Sequence, residues 1–189
     1  MIFSMLKNII NKIKFKKDPV GFSRAQGVLI GHDCQILGSK FPFGSEPYLI
    51  SIGNHVRINA GCQFFTHDGG AWTLRGFGNV SNLEIGNSNM ENLKDVDLFG
   101  TIEIGNNVQI SSNVIILPRV KIGDNCIIGA GAIVTRDMPD GMVCVGVPCK
   151  PIETVQEYYE KNKNRIMHTK GLSPDEKRKI LETEFQIHV

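Results

Sequence analysis

A chain of 189 residues, 41% hydrophobic and 21% charged, is sized for one domain with a packed core and not for extended disorder. Its longest apolar runs fall far short of the roughly 20 residues that cross a bilayer, which excludes an integral membrane protein, and 20 glycines without a triplet period exclude collagen. The formal charge of +2 divides into +5 over residues 1–17, −3 over 18–152 and 0 over 153–189, which with 7% aromatic residues is not the footprint of a nucleic-acid-binding domain.

Residues 1–17 place Ile2, Met5, Leu6, Ile9, Ile10 and Ile13 at helical spacing with Lys7, Lys12, Lys14, Lys16 and Lys17 among them. The spacing predicts a basic amphipathic helix, within an N-terminal segment 1–20, broken at Asp18-Pro19. Lys7 and Lys12 interrupt the apolar stretch and no small-residue cleavage site follows, so it is not read as a signal peptide. Two roles are open to it: a lid over the exposed first coil of the body, or a peripheral membrane contact.

The body, residues 28–152, keeps a six-residue clock. An aliphatic residue recurs at Ile104, Ile110, Ile116, Ile122, Ile128 and Val134, with units such as IGNNVQ, ISSNVI and IGDNCI. A helix repeats near 3.6 and a plain strand at 2, so a period of six means a coil of three short strands per turn of about 18 residues. The first residue of each hexad fills the interior, the fifth must be small, and Gly and Asn supply the tight or left-handed backbone of the corners. The same pattern starts earlier at Ile30, Ile52, Ile58 and Phe64; register is lost between these blocks, so loops leave the coil there. Cys34, Cys62 and Cys126 fall in the small fifth slot and are expected to be inert core thiols, while Cys144 and Cys149 lie past the last clear hexad. An odd number of cysteines without CxxC predicts reduced thiols and a cytoplasmic protein.

Residues 66–101 form a long excursion from the coil, beginning at His67 and holding the single Trp, which makes it a candidate site. After Pro151 the pattern turns helical, and Thr154-x-x-Glu157 and Ser173-Pro174-Asp175-Glu176 read as capping boxes. They predict two charged helices, roughly 154–166 and 173–185, in a tail 153–189 whose balanced charges suggest solvated faces and packing on the coil, not a ligand site.

The hexads, the THDGG segment and the ending IGAGAIVTRDMPDGMVCVGVPCKPI resemble the left-handed β-helix acetyltransferases of hexapeptide-repeat type, in particular the maltose, galactoside and xenobiotic enzymes and those that decorate capsules and exopolysaccharides. The resemblance implies an all-β fold, a left-handed parallel β-helix over residues 28–152, and an acetyl-CoA-dependent transfer to a hydroxyl of a carbohydrate. By motif match His67 takes the general-base position, for which a neutral imidazole is well suited. Ser112, in ISSNVI, matches the position whose backbone N–H holds the oxyanion, and Ala130, Thr135, Arg136 and Lys150 match positions along the acetyl-CoA groove. Asp68, Trp72 and Arg75 follow the base closely and are candidates to grip the acceptor. Active sites of this family are assembled between chains, so the resemblance implies a homotrimer with no nucleic-acid partner and no metal. The chain departs from the family at Gln109, where many relatives carry Trp, and at Pro118-Arg119 in place of a Pro-Gly corner. N-acetylation of an amino sugar and a non-catalytic β-helix scaffold are the alternative readings; a zinc hydrolyase would need a histidine set that His67 lacks.

Overall fold

The computed structural model describes residues 2–79 and 93–187, and it divides into a unit 1–157 and a unit 158–189. In the first unit the hexads wind into three parallel sheets. Sheet A orders β1 (Leu29–Ile30), β3 (Ile50–Ile52), β6 (Ile102–Ile104) and β9 (Val120–Ile122). Sheet B runs through β2 (Gln35–Ile36), β4 (Arg57–Ile58), β7 (Gln109–Ile110), β10 (Ile127–Ile128) and β12 (Met142–Val145), and ends on β13 (Lys150–Thr154), which returns antiparallel to β12. Sheet C stacks β5 (Gln63–Phe64), β8 (Ile115–Ile116) and β11 (Ile133–Val134).

The strands are two to five residues long, too short to hold a sheet alone, so stability comes from coil-on-coil stacking. First positions build the interior columns: Ile52, Ile104, Ile122 on sheet A, Ile58, Ile110, Ile128 on B, Phe64, Ile116, Val134 on C, none more than 5% exposed. The fifth positions Val56, Cys62, Val108, Val114, Val120, Cys126 and Ala132 are buried beside them, as the period predicts. Cys34 is only half-buried, because it lies in the first coil, where no turn lies below it.

The corners divide the work between two hexad positions. Fourth positions carry the left-handed backbone: Asp33, His55, Asn107, Asn113, Arg119 and Asn125 at φ 54–67°, with Gly61 and Gly131 at 82° and 72°. The second-position glycines between sheets A and B serve a different purpose. There an Asn or Asp side chain from the next coil reaches down to accept the third-position N–H: Asn54 Oδ1 from His32, Asn106 Oδ1 from Asn54, Asp124 Oδ1 from Asn106 and Asp140 Oδ1 from Asp124, at 2.6–3.0 Å. A Cβ on Gly105 would stand 2.4 Å from Asp124 Oδ1 and 2.8 Å from its backbone N, so these glycines make room for the ladder. Gly105→Ala is expected to cost about 1–3 kcal/mol, read from the denaturant midpoint, whereas Gly69→Ala, whose Cβ meets nothing within 4 Å, should stay within about 0.5 kcal/mol.

Two segments leave the coil where the hexads lose register. Residues 37–49 replace the sheet C strand of the first coil, ending in a 3₁₀ turn at Pro47–Leu49. Residues 66–101 hold a helix, α3 (Ala71–Asn79), where the sequence reading expects only a loop; much of the rest of that excursion, 80–92, lies outside the described residues.

The N-terminal end corrects the lid reading in part. α1 (Ile2–Lys17) forms as predicted, and Asp18 N-caps a further helix, α2 (Pro19–Ala25), with Pro19 in its first turn. Phe15 alone of the described α1 apolar side chains is buried, in a T-shaped ring cluster with Phe22 and Phe41 that continues through Phe43 to Phe64. The cap over the first coil is therefore Phe15, α2 and the 37–49 loop, while Leu6, Ile9, Ile10 and Ile13 face outward.

Both predicted capping boxes are present: Thr154 with Glu157 at the start of α4 (Val155–Asn162), and Ser173 with Glu176 at the start of α5 (Pro174–Glu184). α4 ends in a short 3₁₀ turn, Lys163–Arg165, and neither it nor α5 buries a residue. Among the described residues no helix is long and apolar enough to cross a membrane.

Candidate active site

His67 stands at the point where the 66–101 excursion leaves sheet C. The base of that excursion is a short antiparallel pair: Gly100 N–H donates to Thr66 O at 2.9 Å, Asp68 N–H to Leu98 O at 2.8 Å, and His67 bridges Phe99. These bonds fix the backbone of His67 even though it sits outside a strand. Its ring is half exposed, with the Phe99 ring edge-on at 6.5 Å.

The sequence reading misses the partner of His67. Glu46, in the 37–49 loop, places Oε2 3.1 Å from His67 Nδ1 and accepts from Thr66 Oγ1 at 2.8 Å. A carboxylate only accepts, so Nδ1 carries the proton and Nε2 presents its lone pair. Burial acts to raise the Glu46 pKa, but hydrogen bonds from Ser45, Thr66 and His67 outweigh it and hold the carboxyl below its ordinary 4.5. The only sequence signal was an acid inside a segment where the hexad register lapses.

The other candidates sort onto two edges of sheet C. Ser112 stacks on Ala60, and Ala130 lies on the next coil, where Gly131 N–H donates to Ser112 O at 2.9 Å. Among the described residues the Ser112 amide has no hydrogen-bond partner, while those of Ser111 and Asn113 bond to neighbouring coils. Lys150 pairs opposite Val145, whose side chain crowds Gly129 of that same corner. Thr135 and Arg136 follow β11 at the opposite edge, the one that carries His67 and Arg119. Ala60 and His67 lie at the two ends of β5, Ala60 in the turn before it and His67 just past it. One chain thus brings His67 to one edge of the sheet and Ser112, Ala130 and Lys150 to the other.

Of the three acceptor candidates, Trp72 on α3 is 77% exposed. Asp68 closes the turn into α3, its Oδ1 accepting from Gly70 N–H at 2.8 Å. Arg75 ties the two limbs of the excursion together, donating from Nε to Val96 O at 2.9 Å and pairing with Asp97. A cleft of about 600 Å³ lies along the outer edge of β5, between it and the 37–49 loop, with Lys40, Gln63 and Phe65 in its lining. Gln109, where relatives carry Trp, is half-buried on the outer side of sheet B between Arg57 and Ile127.

His55 bonds Asn107 at 2.8 Å and His32 bonds Asp33 at 3.1 Å, both on the corner between sheets A and B. Burial raises the thiols of Cys62, Cys126 and Cys149, and burial with the neighbouring cysteines pushes Cys144 up to about 12. These four stay protonated at neutral pH and are not nucleophiles. Under mild alkylation of the folded protein, mass spectrometry should find Cys34 modified first and the other four only after unfolding. Among the described residues no group of three His, Cys, Asp or Glu could hold a metal ion.

A family model, bacterial transferase hexapeptide (six repeats), matches residues 101–136. The chain is 42% identical over 164 residues to Protein CapG of Staphylococcus aureus, covering 86% of this chain and 87% of that one. Over 65 residues it is 52% identical to galactoside O-acetyltransferase of Escherichia coli strain K12, about a third of either chain (32%). Among solved structures, a hexapeptide-repeat containing acetyltransferase from Vibrio cholerae matches with a TM-score of 0.53 at 18% identity, over 77% of this chain and 86% of that one, a likeness of fold.

Proposed function

The chain belongs to the hexapeptide-repeat acetyltransferase family, and from that premise we propose that it transfers acetyl from acetyl-CoA to a hydroxyl of a sugar or glycan in the cytoplasm. The observation that carries the proposal is the Glu46–His67 pair at the edge of the coil. Glu46 holds the proton on Nδ1, so Nε2 takes the proton of the acceptor hydroxyl as its oxygen attacks. The imidazolium that forms is stabilised by the carboxylate and returns its proton to the departing sulfur. Acetyl-CoA supplies the activated acyl group.

The Ser112 amide, without a partner among the described residues, suits the oxyanion. Ala130 offers a small corner for an extended pantetheine, Thr135 lies exposed beside the last sheet C strand, and Arg136 and Lys150 are exposed cations suited to nucleotide phosphates. These residues occupy two edges of one sheet, so a complete site needs the His67 edge of one copy against the Ser112 edge of another. That need supports a closed homotrimer of about 63 kDa, three chains of 20.9 kDa. Trp72, projecting from α3 near the base, is assigned to the face of a pyranose acceptor, with Asp68 and Arg75 shaping the excursion around it.

Calorimetric titration with acetyl-CoA tests the donor without any choice of acceptor. Saturable binding near one per chain is the expected result, and a folded trimer that binds none would remove the transferase reading. Glu46→Gln should lower kcat about 10-fold or more with KM little changed, as expected of a positioning residue. It also bears on stability. The Glu46 pKa is depressed in the folded protein, so the stability it adds is present above about pH 4.5 and lost as pH falls through the lower folded value. Chemical denaturation should therefore find Glu46→Gln less stable than wild type at neutral pH, with the gap closing in acid.

A further inference from the structure

An amphipathic helix on a protein surface normally turns its apolar stripe inward and its charges outward. α1 does the reverse. Leu6, Ile9, Ile10 and Ile13 stand at i, i+3, i+4 and i+7 and are 51%, 53%, 48% and 62% exposed. The helix is anchored from its other side: Phe15, about half a turn from Leu6 on a 3.6-residue period, is 2% exposed in the ring cluster under the first coil. The apolar stripe thus faces away from the body, on the side of the helix opposite its anchor.

Charge says what covers it. On the same period Lys7 and Lys14 flank one side of the stripe and Lys12 and Lys16 the other, with Lys17 at its end. All five are exposed, and residues 1–17 hold no acid; the first, Asp18, is occupied as the cap of α2. An apolar strip about 100° wide with lysines on both margins is the arrangement that lies in the plane of a lipid interface, with aliphatic side chains among the acyl chains and ammonium groups reaching back to the headgroups. A second copy of this chain would have to bring its own lysines against these.

We propose that α1 docks this protein on an anionic phospholipid surface through Leu6, Ile9, Ile10 and Ile13, with the flanking lysines selecting the negative headgroups. The docking does not depend on the identity of the acetyl acceptor or on the assignment of His67.

Sedimentation of the full-length protein with vesicles tests it. Wild type should bind vesicles of phosphatidylcholine containing phosphatidylglycerol, bind pure phosphatidylcholine at least tenfold more weakly, and lose affinity as salt rises. With about fivefold per lysine near such a surface, the Lys7→Gln, Lys14→Gln, Lys16→Gln triple variant should weaken binding on the order of 100-fold. Ile9→Asn with Ile13→Asn should weaken it at least tenfold. Both variants leave Phe15 in place and should keep the wild-type melting temperature, mass and acetyl-CoA affinity. Wild type that ignores both vesicles would overturn the proposal. So would equal binding to the two vesicle types with the lysine variant unaffected, or a fall in assembly mass for the isoleucine variant, which would mark the stripe as a contact between copies. Acetyl-CoA titration of the same samples keeps a failure here separate from a failure of the transferase reading.

Discussion

His67→Ala is expected to reduce acetyl transfer by about 10²–10⁴-fold while the dissociation constant for acetyl-CoA, measured by calorimetry, moves little. The asymmetry follows from the position of the ring. His67 sits at the edge of sheet C, bonded to Glu46 and walled by Phe99, whereas the residues proposed for the donor lie on other coils, Thr135 and Arg136 at the same edge and Ala130 and Lys150 at the opposite one. On the proposed roles, removing the imidazole deletes the proton acceptor and leaves the residues proposed for the donor in place. The Glu46→Gln variant should fall between His67→Ala and wild type, since it keeps Nε2 in reach but leaves the imidazolium without its carboxylate. A His67→Ala enzyme with wild-type turnover would remove His67 as base, and Glu46 with it. Loss of acetyl-CoA binding in the same variant would instead show that His67 helps build the donor site.

The second large effect is on stability. Ile110→Ala is expected to cost about 2–5 kcal/mol, read from the urea midpoint, while Gln109→Ala on the adjacent residue should cost within about 1 kcal/mol. Ile110 is fully buried between Ile58 and Ile128 in the centre of sheet B, and Gln109 points to the outer side of the same strand. In a two-residue strand the alternation leaves no slack, and the coils above and below cannot close the gap without breaking their own register. Comparable costs at the two positions would mean that the hexad phase is assigned wrongly.

The excursion shows where sequence reading stops. The lapse in the hexads at 66 located it, and the THDGG segment singled out His67, because a period of six is so regular that any departure is visible. The helix inside it was not visible: α3 contains Gly76 and Gly78, residues that weaken helix propensity, and its formation depends on a base tied by Thr66, Asp68, Leu98 and Gly100. Arg75 illustrates the same limit. From sequence it is a cation close to a base; in three dimensions it is bonded to Val96 and Asp97. At the N-terminus the spacing of α1 was legible, yet which way its stripe points depends on Phe15 and the rings contributed by Phe22 and Phe41.

The sequence by itself determined the coil, the interior and small positions of each turn, the free thiols and the capping boxes. All of these are local or periodic, and a short-range pattern carries them. Only the tertiary structure decided the rest: that Glu46, 21 residues before His67, is its partner, that second-position glycines make room for the Asn and Asp ladder, and that His67 and Ser112 fall on opposite edges of one sheet. Each of those depends on which coil lies above which, and on how much chain leaves the coil between them. The hexad fixes neither, because every turn presents the same pattern to its neighbours.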